Sequence, residues 1–70
     1  MFNKKYKDAM AILDDEIEMA YSVMIDYAVG AAMEKRDAVR DQRNKRANEW
    51  AIKVEALEEL RSHIRTLVES

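Results

Sequence analysis

Residues 19–33 read Met-Ala-Tyr-Ser-Val-Met-Ile-Asp-Tyr-Ala-Val-Gly-Ala-Ala-Met, with Ser22 and Asp26 the clearly polar side chains. Wound into a helix, this stretch presents apolar surface on every side rather than along one stripe, so more than one neighbour must cover it. A chain of 70 residues rarely buries enough core without a disulfide, a metal or self-association. There is no Cys and a single His, His63, so a disulfide framework, a thiolate metal site and a His cluster drop out. Self-association is the expected reinforcement.

Outward from that stretch, the fold class is all-α. With no Pro and one Gly, Gly30, the chain lacks the punctuation that hairpins and strand corners require. Apolar residues make up 49% and charged residues 37%, a balance that fits a folded helical protein with a charged surface rather than a disordered chain. The net charge of −2 generates no strong field toward nucleic acid or acidic membranes.

Tyr6, Met10, Leu13, Ile17, Ala20, Met24, Tyr27 and Ala31 recur at alternating steps of four and three, a heptad seam along the first half of the chain. Ile12, Met19, Val23 and Met33, joined by Ile25, Val29 and Ala32, form a second apolar set off that seam. One partner helix cannot cover both. Ala28, Gly30, Ala31 and Ala32 are small enough to let another backbone approach, and Gly30 can equally kink or break the helix.

The seam predicts a first helix over about residues 4–42 with Asn3 as its N-cap, a turn at about 43–48, and a second helix over about 49–68. Asn48 is the expected N-cap of the second helix, because Asn accepts a bond from an early unpaired amide. Trp50, Val54, Leu57, Leu60, Ile64, Leu67 and Val68 form its apolar stripe. At 1.5 Å per residue these helices would measure roughly 60 and 30 Å, leaving the first turns of helix 1 unmatched within one chain. A single domain, residues 1–70, is therefore expected to be a helical hairpin that assembles as an antiparallel homodimer or four-helix bundle. Leu13, Ile17, Ala20, Met24, Tyr27 and Ala31 would form the dimer interface, about a two-fold axis near Asp26–Ala28. The acidic group at 14–18 would then face Lys35, Arg36 and Arg40 of the other copy.

The chemistry-bearing residues point away from catalysis. No nucleophile stands beside a base, no glycine-rich phosphate loop exists, and Glu55, Glu58 and Glu59 lack the Glu-x-x-His partner of a di-metal bundle. No catalytic residue, metal or cofactor is assigned. Asp26 reads as a boundary residue bonded to Tyr27 or Ser22, and His63 as a solvated side chain. Met10, Met19, Met24 and Met33 fit either core filler or an adaptable docking surface.

Binding remains, and two classes of it compete. In the first, the chain is a non-enzymatic protein-interaction module that homodimerises and binds or inhibits a partner protein. Tyr21, Arg40, Arg43 and Trp50 are its ranked contacts, because aromatic and Arg side chains dominate interfaces. Products of this kind include phage or mobile-element inhibitors of a host enzyme such as a defence nuclease; a purely structural or adaptor coiled coil would look the same. In the second, Lys35, Arg36, Arg40, Arg43, Lys45 and Arg46 bind nucleic acid, although Asp37 and Asp41 within the segment oppose phosphate tracking. A membrane role is disfavoured: residues 19–33 fall short of the roughly 20 needed to span a bilayer, and Asp26 at mid-span costs about 2.5–3.5 kcal/mol. Lys4, Lys5 and Lys7 are followed by Asp14, Asp15, Glu16 and Glu18 rather than by the continuous apolar region of a secretory signal. A cytoplasmic location is expected, the host cytoplasm for a phage product.

Overall fold

The computed structural model describes residues 4–69, and these form two helices joined by residues 34–36: α1, Lys4–Met33, and α2, Asp37–Glu69. The two pack on each other as an antiparallel hairpin measuring 54 × 17 × 11 Å. The expected cap Asn3 lies outside the described residues. Helix α1 runs unbroken through Gly30, and no described residue has positive φ.

The heptad seam of α1 is the face that meets α2. Met10, Ile17, Ala20 and Ala31 are buried, while Tyr6, Leu13, Met24 and Tyr27 are half-buried. On α2, Ala47 and Val54 are buried, and Arg43, Trp50, Leu57, Arg61, Ile64 and Val68 are half-buried at the same alternating four-and-three spacing. Two cross-helix bonds mark the register: Arg61 Nη1 donates to Asp14 Oδ1 at 2.9 Å near one end, and Arg43 Nη1 to the Gly30 carbonyl at 3.0 Å near the other. In this register Ala20 lies level with Val54, Ile17 with Leu57, and Tyr6 with Val68. Every step of the α1 seam has an α2 counterpart.

That match explains why the turn falls at 34–36 and not at 43–48. A turn at 43–48 would strand the first half of the α1 seam in water, whereas a turn at 34–36 gives helices of about 45 and 50 Å that cover one another end to end. Asn44 and Asn48, read in sequence as breakers, sit inside α2. An Asn in a helix interior costs only about 0.7 kcal/mol relative to Ala, which seam burial readily overrides. The expected length mismatch between the helices is therefore absent, and so is the argument for a partner that rested on it.

One turn of sequence with no Gly, Pro or Asn reverses the chain, and Glu34 makes this possible. Its Oε1 accepts the backbone amides of Lys35 and Arg36, each at 3.1 Å, while its own amide donates to the Ala31 carbonyl at 3.2 Å. The first bond of α2 follows, Arg40 N–H to the Arg36 carbonyl at 2.9 Å. Asp37 in the first turn favours the positive end of the helix dipole.

The smallest side chains of the α1 seam are its most buried. Ala20 and Ala31 are each 2% exposed, so larger groups at either site would force the helices apart. Ala31→Leu should destabilise the hairpin by about 1–3 kcal/mol, the usual cost of overpacking, whereas Ala28→Leu, at an exposed position of the same helix, should change stability by less than about 0.5 kcal/mol. Urea denaturation followed by circular dichroism measures both; equal effects would contradict this placement of α1.

Candidate interaction surface

The second apolar set lies on the side of α1 turned away from α2. Met33 is 77% exposed, Ile12 63%, Met19 52%, and Ile25 and Val29 each 50%. Ala32 is also exposed, and of the whole set only Val23 is half-buried. The reason is geometric: a hairpin covers one face of each helix, and α2 is committed to the seam. Leu60 and Leu67 of the expected α2 stripe, together with Ile52, are likewise exposed. The methionines divide accordingly, with Met10 buried and Met24 half-buried in the seam, and Met19 and Met33 on the outside.

The chain's total accessible area makes the same point in bulk. It is 5571 Å² for 8.2 kDa, against about 4,500 Å² for a compact monomer of that mass. No large side chain among the described residues is fully enclosed. Two helices make a seam, not a two-sided core.

The residues expected at a dimer interface sit inside this hairpin. Ile17, Ala20 and Ala31 are buried, and Leu13, Met24 and Tyr27 are half-buried, all on the seam that meets α2. Within one chain α2 already covers the face that was expected to meet a second copy. The expected charge match across copies changes as well. Asp14 pairs with Arg61 of its own chain, and Arg36 and Arg40 have acidic partners of their own. Among the acids at 14–18, Asp15, Glu16 and Glu18 remain exposed.

The ranked partner contacts are spread over different settings. Tyr21 is exposed on α1, and Arg40 is exposed beside Asp37 at 3.1 Å and Asp41 at 3.8 Å. Trp50 is half-buried in the α2 seam with Lys53 Nζ 4.2 Å from its ring centroid, close enough for a cation–π contact. Arg43 is a tie within the hairpin, bonding the Gly30 carbonyl and lying 3.5 Å from Glu34 Oε2. The structure does not gather these four side chains onto one surface.

The basic segment is largely neutralised by its own chain. Arg36 bonds Glu34 through Nε at 3.1 Å and Nη2 at 3.3 Å, Arg40 meets Asp37 and Asp41, Arg43 meets Glu34, and Arg46 meets Glu49 at 3.2 Å. Among the described residues, Lys35 and Lys45 have no carboxylate at ion-pair distance. Phosphate binding draws on unpaired positive charge, and in this arrangement Arg36, Arg40, Arg43 and Arg46 each have an acidic partner within the chain.

A groove of about 500 Å³ opens beside the turn, lined by Val23, Asp26, Tyr27, Gly30 and Arg43. Asp26 is exposed there, and among the described residues neither Ser22 nor Tyr27 bonds its carboxylate, contrary to the expected local pairing. His63 is exposed on α2, as expected. Among the described residues no group of three or more His, Cys, Asp or Glu side chains could hold a metal ion, and no helix is long and apolar enough to cross a membrane. A scan against protein-family models and searches of curated proteins and of solved structures find no match to the chain.

Sequence reading missed the cluster of Glu34, Arg36 and Arg43. Its side-chain bonds from Arg36, then the Arg36 backbone amide, with a further contribution from Arg43, hold the Glu34 carboxyl at about 2, against an ordinary 4.5. The available signal was an acid flanked by cations at the point where the α1 seam ends.

Two predictions follow from this cluster. The ionised Glu34 stabilises the hairpin above pH 4.5, and that contribution disappears as pH falls toward about 2, where the folded carboxyl takes up its proton. The thermal midpoints of the native chain and Glu34→Gln should therefore differ at neutral pH and converge in acid; a constant gap would contradict the role assigned to the carboxylate. At Gly30 an added Cβ would lie 3.2 Å from Arg43 Nη1 and 3.4 Å from its Cδ. Gly30→Ala should thus gain close to the full helix-propensity benefit of about 1 kcal/mol in an Arg43→Ala background, and less in the native one. Equal gains in both would mean that Arg43 does not hold that space.

Proposed function

We propose that the protein is a non-enzymatic helical interaction module that acts by covering a surface on another polypeptide. The observation that carries this reading is the outer face of α1: Ile12, Met19, Ile25, Val29 and Met33 line one side of one helix, each at least half exposed. An exposed apolar helix face of this kind marks interaction sites more often than it is tolerated idle. Helix-in-groove or helix-on-helix docking uses such anchors directly, with side chains three, four and seven residues apart on one face. Blocking or redirecting a target enzyme requires nothing more than that surface, whereas a catalyst requires a convergent set of reactive groups. The groove at Asp26 and Arg43 supplies a carboxylate and a guanidinium without a nucleophile beside a base.

The test compares the native chain with Val29→Lys as immobilised bait against extract of its native host. Val29 is exposed and remote from the seam, so the variant should keep its helical circular dichroism. A protein retained by the native chain, at least about tenfold depleted with the variant, and rebinding once purified, is the expected result. Nucleic acid retained through Lys35 and Lys45, or no macromolecule of either kind together with a monomeric mass in solution, would overturn the proposal.

A further inference from the structure

Within this interaction reading, on which the present step rests, we infer that the Glu18–Ala32 stripe of the outer face is covered by α1 of a second copy running antiparallel, with Ile12 and Met19 beside that contact left open. The residues facing away from α2 form a second four-and-three series: Glu18, Ser22, Ile25, Val29 and Ala32, with Lys35 and Arg36 following at the turn. This series is its own complement when reversed about a point level with Tyr27. Ile25 then meets Val29 of the copy, Ser22 meets Ala32, and Glu18 meets the basic turn. Large groups sit at the middle and small ones on either side, so two backbones can draw close while the central pair fills the space between them.

Charge decides the direction. Glu18 is exposed and free of ion pairs among the described residues, and so is Lys35; Arg36 is 74% exposed and meets Glu34 through Nε and Nη2, leaving Nη1 available. An antiparallel pair brings Glu18, with Asp15 one turn beyond it, to Lys35 and Arg36 at both ends of the contact. A parallel pair would set Glu18 against Glu18 and the two basic turns against each other, which is unfavourable. Asp26 lies at the edge of this stripe, in the groove shared with Arg43, rather than on its centre line.

Area is consistent with the same occupant. The chain exposes roughly 1,000 Å² more than a compact monomer of its mass, and a standard stable interface removes about 800 Å² from each partner. Because the outer stripe lies on the far side of α1 from its seam, the assembly is a flat layer of four helices in the order α2, α1, α1 of the copy, α2 of the copy. It is not the closed bundle that a shared seam would produce.

Cysteine cross-linking tests register and direction together. Chains carrying Ile25→Cys and chains carrying Val29→Cys, mixed at micromolar concentration and oxidised, should form a mixed disulfide dimer, with each variant alone cross-linking several-fold less. Light scattering of the native chain should give twice the chain mass, and Val29→Lys should raise the dimer dissociation constant by at least about tenfold. Glu18→Lys should weaken association, and Glu18→Lys combined with Lys35→Glu, which leaves the Glu34–Arg36 pair intact, should restore it. Self-cross-linking of Ile25→Cys as efficient as the mixture would overturn the antiparallel register. A monomeric native mass would overturn the second copy as occupant. If that monomer still captured a host protein through Val29, the interaction reading would stand and this inference alone would fall.

Discussion

A heptad seam along α1 has to be matched by another helix over its whole length, and α2 of the same chain does this. Seven steps of the α1 seam, Tyr6 to Ala31, face a series on α2 running from Val68 to Arg43. The position of the turn, the near-equal helix lengths and the two cross-helix Arg contacts all follow from that pairing. Glu34 satisfies the first amides of the reversal and pairs with Arg36 and Arg43, but it does so where the seam ends and has no say in the pairing itself. Burial of Ile17, Ala20, Ala31 and Val54 supplies the driving force; the Asp14–Arg61 pair at the surface contributes at most about 1 kcal/mol and reports the register that the seam imposes.

The same commitment creates the protein's conspicuous surface. A helix that is apolar on two sides and is given one neighbour keeps the other side wet. Ile12, Met19, Ile25, Val29 and Met33 are exposed because α2 is fully used on the seam, not because they fail to be hydrophobic. Functional readings of the chain start from this imbalance: the outer stripe leaves large apolar side chains in water, while the basic segment spends its Arg side chains on Glu34, Asp37, Asp41 and Glu49.

Much of this was legible before any coordinates. The all-α class, the identity of the α1 seam, the existence of a second apolar set and the insufficiency of a single covering helix can each be read from spacing alone. The turn could not, because Glu34-Lys35-Arg36 contains none of the residues that usually reverse a chain, whereas Asn44 and Asn48 look like breakers yet lie inside α2. Propensity costs of about 0.7 kcal/mol per Asn cannot compete with seam burial. Spacing also could not say which of two apolar faces an intramolecular helix would take. That choice depends on matching the length and step pattern of both helices together, and it leaves the second apolar set rather than the seam exposed. The cluster at Glu34 escaped notice for a related reason: its partner Arg43 is nine residues away and becomes a neighbour only once the turn is placed.

The pairing of α1 with α2 in one chain is measured most directly by the distance between spin labels at Asp8 and Thr66, two exposed positions level with each other in this register. Labelled chains diluted into unlabelled ones report the intramolecular distance alone. The account predicts a separation near that of packed helices, about 8–10 Å between axes plus the reach of the labels. A turn at 43–48 would displace the two positions by about seventeen residues along the hairpin, an axial offset of roughly 25 Å, and a distance distribution centred at or beyond that offset would contradict the account.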